Sequence, residues 1–212
     1  MRIGIIGAGT LAQAFAIRAI SSGHTVTLSN SRGPDSLAPL IDLLGPGVSA
    51  GTKYQAASED TVILAVPGAR VAAALADLYD WDGRTLVDAT NDFSVQSPPF
   101  PGLLSSSEVV ADLAPSANVV KALNTHFANV LLRDPEPVPG YKRVLFVCGD
   151  DIPSKEAFES LLAQMGYAPI DLGGLSEGSR MQQVPNGPLA GRDLLVRATQ
   201  RSDSGLTASV SY

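Results

Sequence analysis

Met1-Arg-Ile-Gly-Ile-Ile-Gly-Ala-Gly-Thr-Leu11 opens the chain, and its reading decides the fold. An apolar run, Arg2–Ile6, stops at Gly7 and Gly9, and a helix-period stretch follows at once. That order suits the tight strand-to-helix turn on which a dinucleotide pyrophosphate meets a helix N-terminus. Gly7 permits the sharp turn. Gly9 removes a side chain where backbone must approach phosphate, and Ala12 takes the small third position that lets helix and strand pack closely. Gly7, Gly9, Thr10 and Leu11 are therefore the first expected cofactor contacts. The plain alternative is an ordinary glycine turn, but the strand before it and the helix after it are the context the motif requires.

Outward from this turn, short apolar runs alternate with helix-period segments, which predicts parallel strands joined by crossover helices. The expected strands are Arg2–Ile6, Thr25–Ser29, Val48–Gly51, Thr61–Ala65, Thr85–Asp88, Val119–Leu123, Arg143–Cys148 and Pro169–Leu172. Leu11, Phe15 and Ala19 share a helical face that Gly23 ends, and Leu37, Leu40, Ile41 and Leu44 form a second face before Gly45-Pro46-Gly47. Asp151 and Pro153 start a third helix with Phe158, Leu161, Leu162 and Met165 inward and Gly166 at its end. The fold class is α/β, a Rossmann-type doubly wound, mainly parallel sheet with a short C-terminal helical segment. Residues 1–172 are expected to form the dinucleotide-binding domain, 173–200 an acceptor-side segment and 201–212 a loose polar tail. The proline-rich stretches Ser97–Gly102 and Arg133–Gly140 read as surface loops.

The 212 residues carry 21 acids against 15 Lys and Arg, a formal net charge of −6, with no basic cluster, which argues against a nucleic-acid partner. One cysteine, Cys148, excludes an internal disulfide and a cysteine-based zinc site, and its apolar run predicts a buried free thiol. No apolar run approaches membrane-spanning length, and the chain enters its first strand without a signal peptide. A soluble, cytoplasmic, reducing setting is expected.

At the end of the second strand, NAD-selective units place a carboxylate on the ribose 2′-hydroxyl. Here the chain reads Leu28-Ser29-Asn30-Ser31-Arg32-Gly33, without an acid. Asn30 and Ser31 can donate to a 2′-phosphate and Arg32 can fork onto it, which favours NADP(H) over NAD. Asp35 is the one nearby acid that a loop rearrangement would bring to the ribose.

Ser29–Arg32, Val62–Pro67, Trp81–Asn91, Val119–Thr125, Phe146–Asp151 and Gly166–Leu175 occur in an order that resembles the deazaflavin-dependent (coenzyme F420) NADP oxidoreductases. The likeness runs to about Leu195, with Leu123 where that family usually has Phe. Two stretches depart from the pattern. Gly33-Pro34-Asp35-Ser36 stands where relatives often add a second basic residue, and Met181–Leu189 is only loosely similar to the acceptor-binding part. The resemblance implies hydride transfer between NADP(H) and a planar small-molecule acceptor, a deazaflavin or flavin. It also implies Ala122 beside the nicotinamide carboxamide, and Arg180 and Met181 toward the acceptor. A homodimer is compatible with so short a C-terminal segment.

Strand C-termini carry Rossmann ligands. Ala65, Val66 and Pro67 are thus expected as the wall beside the nicotinamide, with Asn91 and Asn124 as ligand contacts or helix caps. His126, one of two histidines, is the candidate acid or anion contact, against a helix-start histidine facing solvent. Lys121 is expected to reach the sheet edge or solvent, and His24 to be structural. Two other functions remain open at this stage. One is reduction of a small imine or ketone metabolite, which in related enzymes uses a long helical domain not visible here. The other is non-catalytic sensing of the NADPH/NADP ratio.

Overall fold

The structure is a computed structural model that describes residues 1–91, 93 and 104–198. The expected loop at Ser97–Gly102 and the expected tail after Gln200 lie outside the described residues. Strands β1 (Arg2–Ile6), β2 (Thr25–Ser29), β3 (Val48–Ala50), β4 (Thr61–Leu64), β5 (Thr85–Asp88) and β6 (Asn118–Ala122) run parallel in the order β3-β2-β1-β4-β5-β6. The sheet then turns mixed. Strand β7 (Tyr141–Gly149) is antiparallel to β6, β8 (Ala168–Asp171) is parallel to β7, and β9 (Leu195–Arg197) pairs antiparallel with Tyr141–Arg143. Strand β6 meets β7 only at Val147–Gly149, so the Tyr141–Arg143 end of β7 that pairs with β9 lies beyond the end of β6.

Helices α1 (Thr10–Ser21), α2 (Ala38–Leu44), α3 (Lys53–Ala57), α4 (Val71–Leu75), α5 (Ser106–Leu113), α6 (Ala128–Leu131), α7 (Ile152–Gln164) and α8 (Leu175–Gln182) cover both faces. Strand alternation sorts the core into two layers. Ile3, Ile5, Leu28, Ile63, Val87 and Val120 meet Phe15 of α1 and Phe158 and Leu162 of α7, and the two phenyl rings stack with centroids 6.4 Å apart. Val62, Leu64, Leu86 and Val119 meet Ala56, Leu75, Trp81, Val110 and Leu175 on the other face. Gly4 explains why α3 can lie against β1. A Cβ there would come within 1.8 Å of the Ala56 carbonyl oxygen. No helix among the described residues is long and apolar enough to cross a membrane.

Lys121 corrects the sequence reading. It does not reach solvent; the register of β5 and β6 sets it directly beside Asp88, and its side chain is 1% exposed. Its Nζ donates to Asp88 Oδ2 at 3.0 Å and to the Thr90 carbonyl at 2.5 Å. Thr90 and Ser107 complete the shell by donating to Asp88. A buried charge is tolerated only when so fully paired, and this network pins the C-terminal end of β5. Cys148 is buried as expected, and burial pushes its thiol up to about 12.

Candidate functional site

A cavity of about 790 Å³ opens over the C-terminal ends of β1, β2, β3 and β4. Its floor is the glycine turn. Gly7 holds φ +123°, a conformation that disfavours any side chain, and a Cβ there would lie 2.1 Å from the Ala65 carbonyl oxygen. Its N–H donates to the Ser29 carbonyl, which ties the turn to the end of β2. Gly9 differs in kind. Its φ is −74°, and an added Cβ would meet no atom within 4 Å, so the missing side chain keeps space open beside the cavity. Helix α1 starts at Thr10 with no side-chain cap and no acid in its first turn. Its first N–H groups and the positive end of its dipole are left for an anion.

The β2 loop forms one wall through Asn30, Ser31, Gly33 and Pro34. Asn30 is engaged within its own loop. Its Oδ1 accepts from the Arg32 N–H at 2.9 Å and its Nδ2 donates to Ser36 Oγ, so the side chain shapes the turn. Ser29 is likewise committed, donating from its buried hydroxyl to the Ile5 carbonyl. Arg32 stands exposed between two lining residues, and Asp35 is not among the residues lining the cavity. The opposite wall is Ala65, Val66, Pro67, Arg70, Ala73 and Ala74, with Thr52, Lys53 and Tyr54 closing the end. Lys53 packs over the Tyr54 ring and donates to the Ala76 carbonyl. Lys53 and Arg70 are the only charged side chains among the lining residues, in a chain of net charge −6.

Thr52, Lys53, Tyr54 and Arg70 escaped sequence reading because α3 and the turn after β4 reach the cavity only through the strand order. A capping box at Thr52-Lys53-Tyr54-Gln55 was the available signal for a helix starting there. Other expected site residues lie elsewhere. Ala122 is fully buried in the core. Among the described residues Asn91 and Asn124 cap no helix; they bind each other, Asn91 Nδ2 to the Asn124 carbonyl at 2.9 Å and Asn124 Nδ2 to Asn91 Oδ1 at 3.1 Å. Asn124 Nδ2 also donates to the Gln182 carbonyl, so α8 leans on this pair.

His126 does not face solvent. It is 8% exposed, because the segment after α8 folds over it: Gly191 N–H donates to the Thr125 carbonyl and Asp193 sits 3.9 Å from His126 Nε2. Arg143 pairs with the same carboxylate. Burial holds the His126 imidazole below its usual range; Asp193 pulls it up and Arg143 pushes it down, both less strongly. His126 lines neither this cavity nor the smaller, mostly apolar one of about 220 Å³ between α4 and α5.

Comparison with known proteins follows the same lines. Residues 2–92 match the model of a family described as NADP oxidoreductase, coenzyme F420-dependent. Metalloreductase STEAP3 of Rattus norvegicus is 30% identical over 186 residues, 87% of this chain and 36% of that protein. The chain thus spans about a third of the length of the curated relatives it matches. A hypothetical protein of Sinorhizobium meliloti, SMa0349, superposes with a TM-score of 0.83 at 38% identity, covering 92% of this chain and 96% of that one. A provisionally named F420-dependent NADP reductase of Arthrobacter sp. FB24 superposes with a TM-score of 0.68 at 32% identity, covering 82% and 85%. An imine reductase of Aspergillus terreus, 20% identical with a TM-score of 0.62 over 84% of this chain and 58% of that one, shares the fold.

Proposed function

The chain belongs to the coenzyme F420-dependent NADP oxidoreductase family, and from that premise we propose that it is an NADPH-dependent oxidoreductase that passes hydride between NADP(H) and a planar acceptor, a deazaflavin or flavin. The observation that carries this reading is the cavity itself: a glycine turn and an uncapped helix start at its floor, and cations alone among its charged lining residues. Gly7, Gly9 and the first N–H groups at Thr10 and Leu11 receive the pyrophosphate. Ser31 and Arg32 hold the ribose 2′-phosphate, on a loop whose shape Asn30 maintains. The absence of a carboxylate at the end of β2 leaves that phosphate unopposed. Val66 and Pro67 give the apolar wall along which the cofactor continues toward the ends of β4 and β5.

Bound nicotinamide supplies the hydride chemistry; the protein aligns two rings and excludes water. The residues beyond the wall suit that role. Asp88, Lys121 and Thr90 hold the β5 end rigid, and the Asn91–Asn124 pair locks it to the β6 end. Acid–base help from His126 is not required, because a flavin-like ring exchanges its nitrogen proton with solvent.

The test is NADPH oxidation by the purified chain with a deazaflavin, a flavin and a ferric chelate in parallel, the last because STEAP3 and STEAP2 are metalloreductases by name. One NADPH consumed per ring acceptor reduced, with NADH far slower, is the expected result. Tight NADPH binding with no turnover on any acceptor contradicts it and favours a redox sensor.

A further inference from the structure

The cationic wall of the cavity has an owner for only one of its charges. Lys53 is engaged, its ammonium on the Ala76 carbonyl and over the Tyr54 ring. Arg70 is different. It is exposed, it lines the cavity, and no hydrogen bond or ion pair of its guanidinium occurs with the described residues. Its position is nevertheless fixed by backbone. The 3₁₀ turn Gly68–Arg70 closes with the Arg70 N–H donating to the Pro67 carbonyl at 2.8 Å, and Pro67 itself lines the cavity.

We propose that Arg70 is the second cation that grips the 2′-phosphate of NADP(H), closing on it from the β4 side while Arg32 holds it from the β2 side. This rests on the NADP(H) reading above. A phosphate monoester carries between one and a half and two negative charges near neutral pH, roughly, and one exposed guanidinium neutralises only part of that. The loop after Arg32 offers no further cation, since Gly33-Pro34-Asp35-Ser36 brings an acid instead. The pyrophosphate has its own partners in the uncapped start of α1, so Arg70 is not needed there. A guanidinium with no partner among the described residues, across the cavity from the loop after β2 and with no acid among the lining residues, is the arrangement a bidentate clamp requires. Arg70 is thereby a specificity-determining residue contributed by the turn after β4, which the ribose rule does not address.

Dissociation constants for NADPH and NADH, measured on the wild-type chain and on Arg70→Ala and Arg70→Lys, test this. Arg70→Ala is expected to weaken NADPH about tenfold, the loss of one charge-assisted contact, while NADH changes less than about twofold on the same reasoning. Arg70→Lys should restore part of the NADPH affinity. Equal losses for the two nucleotides overturn the proposal by assigning Arg70 to the shared adenosine or pyrophosphate. An unchanged NADPH preference in Arg70→Ala also overturns it, while the NADP(H) reading stands. A wild-type chain that does not prefer NADPH overturns both.

Discussion

Lys121 shows how far a single residue can depart from the expectation its type invites. A lysine inside an apolar strand reads as one that snorkels to an edge, yet here it is buried against Asp88, held by the β5–β6 register that no local pattern encodes. Removing one partner of such a pair leaves the other uncompensated. Lys121→Met is therefore expected to cost about 3–5 kcal/mol of stability, read from the denaturation midpoint. The double variant Lys121→Met/Asp88→Asn should recover much of that loss. Additive losses in the double variant would mean the two charges do not depend on each other. At the same scale, the role of Gly7 was legible from its place after a strand, because the geometry it permits is local. Asn30 was legible as part of the loop after β2, proposed above to hold the 2′-phosphate, but not as that loop's internal brace, since Ser36 and the Arg32 N–H engage its amide.

Elements were more readable than their partners. The strands up to β6 stand within about one residue of where periodicity sets them, because two buried faces demand continuous apolar runs. The reversal at β7 was hidden. The connection from β6 holds only the four-residue α6 and a proline-rich stretch, which gives no full crossover helix, so the chain returns antiparallel. Strand β9 is three exposed residues whose pairing with β7 is settled by tertiary contact, and nothing in Leu195–Arg197 marks it. Close packing of elements gives its own test. Alanine is ordinarily better than glycine within a strand, but Gly4→Ala would drive a methyl into the Ala56 carbonyl and lift α3 from β1. A loss of about 1–3 kcal/mol is expected, with the denaturant slope unchanged. A stabilised Gly4→Ala variant would show that α3 does not pack as closely as described.

Across the whole molecule, the floor of the cavity was legible in the first strand-turn-helix, whereas its far wall depends on which strands are neighbours. Lys53 reaches the cavity from the start of α3, after β3, and Arg70 from the turn after β4, and only the strand order brings them to it. The C-terminal segment adds a global linkage, since it buries His126 beneath Asp193. Burial lowers the His126 imidazole, and burial with the N-terminal charge lowers His24. Both histidines thus bind a proton more readily in the unfolded chain, whose imidazoles titrate near 6.5. Stability present above that pH is lost as pH falls through the lowered folded values. Thermal melts between neutral and mildly acidic pH should show this decline, and His126→Gln should flatten it. A melt unchanged or rising on acidification would contradict the described burial.

The most direct test of the account is NADPH titration of Gly9→Val by calorimetry beside the wild-type chain. A Cβ at Gly9 would meet no atom within 4 Å beyond its chain neighbours, so the fold and its melting temperature should persist. The account predicts a stable variant that has lost NADPH binding. A stable Gly9→Val that binds NADPH as tightly as the wild type would contradict it.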